Sequence, residues 1–142
     1  HFNGCKGNVL PALRGEPCEV SERRFWQWNR YTPVVAGNAA MRDGPWKLLR
    51  PPIREAMRVA PEDLEMDRRL KREPESVTDI CRDPEPERRM PEPPMALLFN
   101  VAEDPYEQDD LARSEPDRVA RMGAALDAWF AEVEAERRSI RD

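Results

Sequence analysis

The chain has 142 residues, of which 39% are apolar and 36% charged, and its mean hydropathy is -0.83. These values allow one modest domain, with a core that is small or is completed by another surface. A net charge of -5 excludes the basic footprint of a nucleic-acid binder, and no apolar run approaches the roughly 20 residues that cross a bilayer.

Residues 1–50 are mixed and aromatic and hold three of the four tryptophans, Trp26, Trp28 and Trp46. The first predicted strand covers residues 23–28, where Phe25, Trp26 and Trp28 suit a pleated, half-buried surface. Trp26 and Trp28 share one face by the two-residue period. Asp43-Gly44 is the next signal, a pair suited to positive φ in a tight hairpin turn. It joins a strand at 38–42 to one at 46–50. In the second of these, Trp46 and Leu48 face one way and Lys47 and Leu49 the other. Pro45 lacks an N–H, so it belongs at a strand start or on an edge.

Residues 51–94 form a Pro- and charge-rich insert with nine of the fifteen prolines. A helix is expected over 61–72, with Pro61 in its first turn and a thin apolar stripe of Leu64 and Leu70. The mixed run from Asp67 to Glu73 reads as a solvated face. From Glu73 to Pro94 there is too little apolar surface to offset the ordering entropy. The expectation is an extended loop that lies on another surface or moves.

An apolar stretch at 95–101 predicts a buried strand, followed by a turn at Glu103-Asp104-Pro105-Tyr106-Glu107, with Leu111 tucked back onto the core. The closing helix has Ser114 as its expected cap, Asp117 three residues on and Pro116 in the first turn. Val119, Met122, Leu126, Trp129, Phe130 and Val133 recur at helical spacing, while Arg118, Arg121, Asp127 and Glu134 are left for solvent. Burying that stripe on a three- or four-stranded antiparallel sheet gives an α+β fold: a small sheet packed on a long C-terminal helix.

The usual chemical constellations are missing from the sequence. His1 is the sole histidine, and the six glycines are dispersed and make no phosphate loop. Cys5, Cys18 and Cys81 form no CxxC pair, so a zinc site of the Cys/His kind is not expected, and any disulfide choice stays open. The acidic group Glu103, Asp104, Glu107, Asp109 and Asp110 lacks the alternation and central glycine of a calcium-binding EF-hand loop.

Four stretches in order resemble the end of the sulfatase family. They are Phe2-Asn3-Gly4 with Val9-Leu10-Pro11-Ala12-Leu13-Arg14-Gly15-Glu16; Arg24-Phe25-Trp26-Gln27-Trp28; residues 40–49 around Asp43-Gly44; and residues 97–107 with Leu111. Trp129 on a closing helix also fits. The opening segment is longer between Gly4 and Pro11 than is usual in the family, and Asn100 stands where Asp is common.

The resemblance implies that 1–22 leaves a catalytic domain lying outside this chain. It also implies that 23–50 and 95–142 form the C-terminal sheet-plus-helix subdomain of an alkaline-phosphatase-like sulfatase, and that 51–94 is an insert. The parent enzyme would hydrolyse sulfate esters of a small molecule or glycan. It would use a formylglycine made within a Cys/Ser-x-Pro-x-Arg motif and a divalent ion, usually calcium, both held in that core. None of the three cysteines has Pro two and Arg four positions on, so no catalytic residue, metal ligand or cofactor is assigned to this chain. Its main partner would be the parent's own catalytic domain, with no nucleic acid and no membrane span. The subdomain can wall the substrate cleft in this family, and the loop between the first two strands then offers Asn29, Arg30 and Tyr31 as cleft candidates. Arg30 suits a bidentate contact with an anion. Lys47, alternating with the tryptophan face, is a weaker candidate for substrate contact. Two alternatives stand beside this reading. One is the same subdomain on a phosphonate or phosphate monoester hydrolase. The other is an independent binding module that uses the aromatics of 25–31.

Overall fold

A computed structural model describes residues 10–15, 22–77 and 86–139 of the chain. Of the opening resemblance segment, Phe2, Asn3, Gly4, Val9 and Glu16 lie outside the described residues, and so do all three cysteines. Four short strands carry the architecture: β1 (Arg23–Gln27), β2 (Ala39–Asp43), β3 (Trp46–Arg50) and β4 (Leu97–Asn100). They form one antiparallel sheet in the order β1-β2-β3-β4. Among the described residues four α-helices accompany it: α1 (Leu10–Leu13), α2 (Arg54–Met57), α3 (Leu64–Arg72) and the long α4 (Pro116–Ser139). The expected α+β arrangement is present, with the fourth strand included. No helix among the described residues is long and apolar enough to cross a membrane.

Register explains which side chains meet. Phe25, Met41, Leu48 and Leu98 stand on one rung, and strand alternation aims all four at the same side. Met41, Leu48 and Leu98 have no solvent exposure, and Met122 and Leu126 of α4 close over them. Phe25 stacks on Trp129 with ring centroids 5.1 Å apart, extending the contact to the sheet edge. Val119 also packs here, as does Leu111, whose N–H donates to the Leu98 carbonyl at 2.8 Å.

The hairpin turn sits one residue later than the Asp43-Gly44 reading. Asp43 pairs with Trp46, so the two loop residues are Gly44 and Pro45. Gly44 alone of the two has positive φ, +58°, as a first central residue of the II′ kind requires, and the ring of Pro45 holds the negative φ that follows. Pro45 thus needs no ladder donor, and its carbonyl accepts from the Val101 N–H at 2.8 Å.

The start of α4 also differs from expectation. The first helical hydrogen bonds, from Arg118 and Val119, end on the Glu115 carbonyl, which makes Glu115 the cap and Pro116 the first helical residue. Ser114 instead donates its hydroxyl to the Leu111 carbonyl at 3.0 Å. On the helix, Val133 is 43% exposed, whereas Glu134 is buried. Arg118, expected in solvent, lies 3.9 Å above the Trp46 ring and pairs with Glu115. Asp127 holds Arg50 of β3 at 2.6 Å, tying helix to sheet.

Glu134 accepts from Arg137 and Arg138 one turn on, and the Arg137 hydrogen bonds are the main reason its pKa drops from 4.5 to about 2. A carboxyl lowered in the folded state stabilises it fully above the unfolded pKa and loses that effect as the pH falls through the folded value. The melting-temperature gap between wild type and Glu134→Gln is therefore expected to be full above pH 4.5 and to close toward pH 2, as followed by circular dichroism. In the core, Met41→Ala removes a side chain with no exposure, so it should cost about 2–5 kcal/mol in urea unfolding.

Candidate functional site

The loop after β1 is where the insert meets the sheet. The β1–β2 ladder runs one rung further, through the Trp28 N–H to the Asn38 carbonyl at 3.1 Å. Asn38 takes the left-handed region, with φ 53°, as a short amide side chain tolerates. Its side chain then bridges two segments. It donates through Nδ2 to Asn29 Oδ1 at 3.1 Å and accepts from the Ile53 N–H at 3.2 Å. Asn29 Nδ2 is buried and has no hydrogen-bond partner among the described residues. Gly37 is required nearby, because an added Cβ would lie 2.7 Å from the buried Ile53 side chain.

Arg30 faces the insert. Its N–H donates to the Ala56 carbonyl at 2.9 Å, and its guanidinium pairs with Asp67 of α3 at 2.9 Å. The same group sits 5.8 Å from the centre of the Trp28 ring. Asp67 also accepts from Lys71, which is the largest cause of its lowered pKa, with Arg30 adding to it. Tyr31, with φ 57°, is a second tie. Its hydroxyl donates to Asp63 and accepts from the Ala60 N–H at 2.9 Å. Burial and the Asp63 hydrogen bond raise the phenol pKa, in that order of size. Arg88 closes the arrangement from the far end of the insert. It lies 5.0 Å over the Tyr31 ring and donates to the carbonyls of Arg30 at 2.9 Å and Thr32 at 3.1 Å.

Asn29, Arg30 and Tyr31 are thus brought together, and the groups they meet lie in 51–94. The sequence reading did not anticipate Asp63, Asp67 and Arg88 as their partners. It took Asp67 for part of a solvated run, but the Asp67 side chain is only 16% exposed between two cations. It also gave α3 a stripe of Leu64 and Leu70, whose exposures are 55% and 52%. Charge, not apolar surface, seats that helix. Beside Tyr31 opens a cleft of about 440 Å³, with Arg58, Arg88 and Arg89 facing Glu55, Glu62 and Glu87. Equal numbers of cations and carboxylates give it no net preference for an anion.

Lys47, the other substrate-contact candidate, donates to both carboxylate oxygens of Glu107 at 2.6 and 2.7 Å. The acidic turn is likewise committed. Asp104 Oδ2 accepts from the Gln108 and Asp109 N–H groups, and Asp110 Oδ1 accepts from those of Leu98 and Ala112. These carboxylates order a turn and do not converge as a calcium cage would require. Among the described residues no three metal-binding side chains group together. No protein-family model matches the chain, and no curated protein matches it.

Tyr31→Phe removes the donor to Asp63 and the acceptor for the Ala60 N–H. The expected loss is about 1 kcal/mol, with amide exchange accelerated at Ala60 and unchanged at Leu48. Equal acceleration at both positions would mean that the tie is not local.

Proposed function

We propose that the chain is the C-terminal subdomain of a sulfatase-type hydrolase and completes an enzyme whose chemistry lies in a separate catalytic core. One observation carries the reading. An antiparallel sheet with a helix on one side only ordinarily turns a polar face to water. The second face of this sheet carries Trp26, Ala40, Leu49 and Leu97 on a single rung. Trp26 is 50% exposed, and Trp28 just beyond the strand is 65% exposed. A sheet built this way is made for a second layer, and a larger domain supplies one.

The positions of the resemblance stretches support the same reading. Residues 24–28 span most of β1, residues 40–49 form the β2–β3 hairpin, and residues 97–111 form β4, its turn and the return of Leu111 to the core. The acid-and-arginine insert packs on the loop with Asn29, Arg30 and Tyr31. In this reading that corner borders the substrate cleft, with Arg30 held by Asp67 in a fixed pose. The formylglycine and the calcium ion belong to the core.

Assayed on an aryl sulfate with calcium, the 142-residue chain should release no sulfate, whereas the longer polypeptide with its Cys/Ser-x-Pro-x-Arg core should turn over. Turnover by the chain itself, or a gene with no such core, rejects the reading. A longer polypeptide that prefers aryl phosphates or phosphonates moves the parent to that branch of hydrolases.

A further inference from the structure

The second face of the sheet carries charge as well as apolar surface. Arg24 and Arg42 are direct cross-strand partners on it, and Lys47 continues the same rung. Glu107 neutralises Lys47. Arg24 and Arg42 are both exposed and have no carboxylate partner among the described residues; Arg42 spends its Nε on the Gly44 carbonyl at 2.9 Å. Like charges directly opposed across two strands repel, so the described residues leave an unfavourable pair here. That pair stands out in a molecule with 28 acidic and 23 basic residues. Beside it runs a shallow cleft of about 510 Å³ floored by Trp26, Ala40 and Leu49.

We infer that this face receives a protein surface that is apolar at its centre and acidic where it covers Arg24 and Arg42. A carboxylate laid over the pair would remove the repulsion and accept paired N–H donors from either guanidinium. The apolar floor asks for side chains at the same moment, which a lone anion would not provide. A polyanion such as nucleic acid would meet the net charge of -5, and two arginines are fewer than the four to eight or so basic groups of an anionic-membrane site. The inference rests on the proposed docking for the identity of the occupant, the wall of the hydrolase core. The acidity of that wall follows from Arg24 and Arg42 alone.

Two synthetic amphipathic helices, with one leucine stripe in common and flanked by Glu in one and by Lys in the other, test it on the 142-residue chain by calorimetry. The Glu peptide should bind roughly tenfold or more tighter, with a gap that narrows in salt. Trp26→Ala should weaken both peptides. Arg24→Gln with Arg42→Gln should abolish the preference, and Arg24→Glu with Arg42→Glu should invert it, the fold of each variant being checked by circular dichroism. The Gln pair keeps the test usable if the charge reversal does not fold. Equal binding of the two peptides, no binding of either, or a preference that survives the Gln pair overturns the inference. Tighter binding to phosphatidylglycerol vesicles than to the Glu peptide overturns it as well, in favour of a lipid surface. A Glu preference alongside a longer polypeptide without sulfatase activity rejects the sulfatase reading alone. Sulfatase activity without the preference rejects this inference alone.

Discussion

The sheet and α4 hang on one contact, the seating of Met122 and Leu126 of α4 over Met41, Leu48 and Leu98. Strands of four or five residues cannot hold together as an isolated ribbon, and a 24-residue helix gains little from propensity alone. Each therefore depends on the other's apolar face. The core that results is small, which fits a chain that is 36% charged. It is extended at its rim by a ring stack, a cation over a ring and an ion pair. Phe25 stacks on Trp129, Arg118 covers Trp46, and Asp127 reaches Arg50.

The insert follows a different physics. Its apolar residues bury little, apart from Ile53 and Ala56 at its beginning. It is held instead by a set of directional contacts to the loop after β1: Asp67 to Arg30, Asp63 and Ala60 to Tyr31, and Arg88 to the carbonyls of Arg30 and Thr32. Contacts of this kind are directional, so they fix the orientation of the loop as well as adding about 1 kcal/mol each. They come from three separated parts of the sequence, so they act together only when α3 and the 86–90 segment are both in place. The loop is thereby defined by the insert, although in sequence it belongs to the sheet.

How much of this was legible in the sequence follows from the same division. The sheet and α4 were legible because their apolar residues repeat at fixed periods, two for Trp46 and Leu48 and about three and a half for Met122, Leu126 and Trp129. The turn residues were visible too, but Asp43-Gly44 and Gly44-Pro45 are overlapping two-residue loops. Only the pairing of Asp43 with Trp46 decides between them. Ser114 looked like a cap because serine caps well in general. The Glu115 carbonyl in fact accepts the first helical bonds, and the serine hydroxyl goes to Leu111. The loop–insert corner left no periodic trace at all. Nothing about Asp67 in its run of mixed charges distinguishes it from Glu65 or Glu73, since its partner Arg30 lies 37 positions away, a count fixed by the two residue numbers.

The two faces of the sheet divide these roles. One face is satisfied within the chain by α4. The other buries Phe99 within the chain but leaves Trp26 half-exposed beside the partly buried Leu49 and Leu97 and the like-charged pair Arg24 and Arg42. Apolar surface left half-exposed and like charges set opposite one another are both unfavourable. Both are relieved by the same event, the arrival of a surface with matching apolar and acidic parts. A stray exposed tryptophan needs no explanation on its own. Its occurrence on the face opposite α4, next to Arg24 and Arg42, which have no carboxylate partner among the described residues, is what the proposed docking to a second body would account for. The loop of Arg30 and Tyr31 leaves the end of that same strand, β1, which places any cleft it borders at the edge of the face opposite α4 and not in the core beneath that helix.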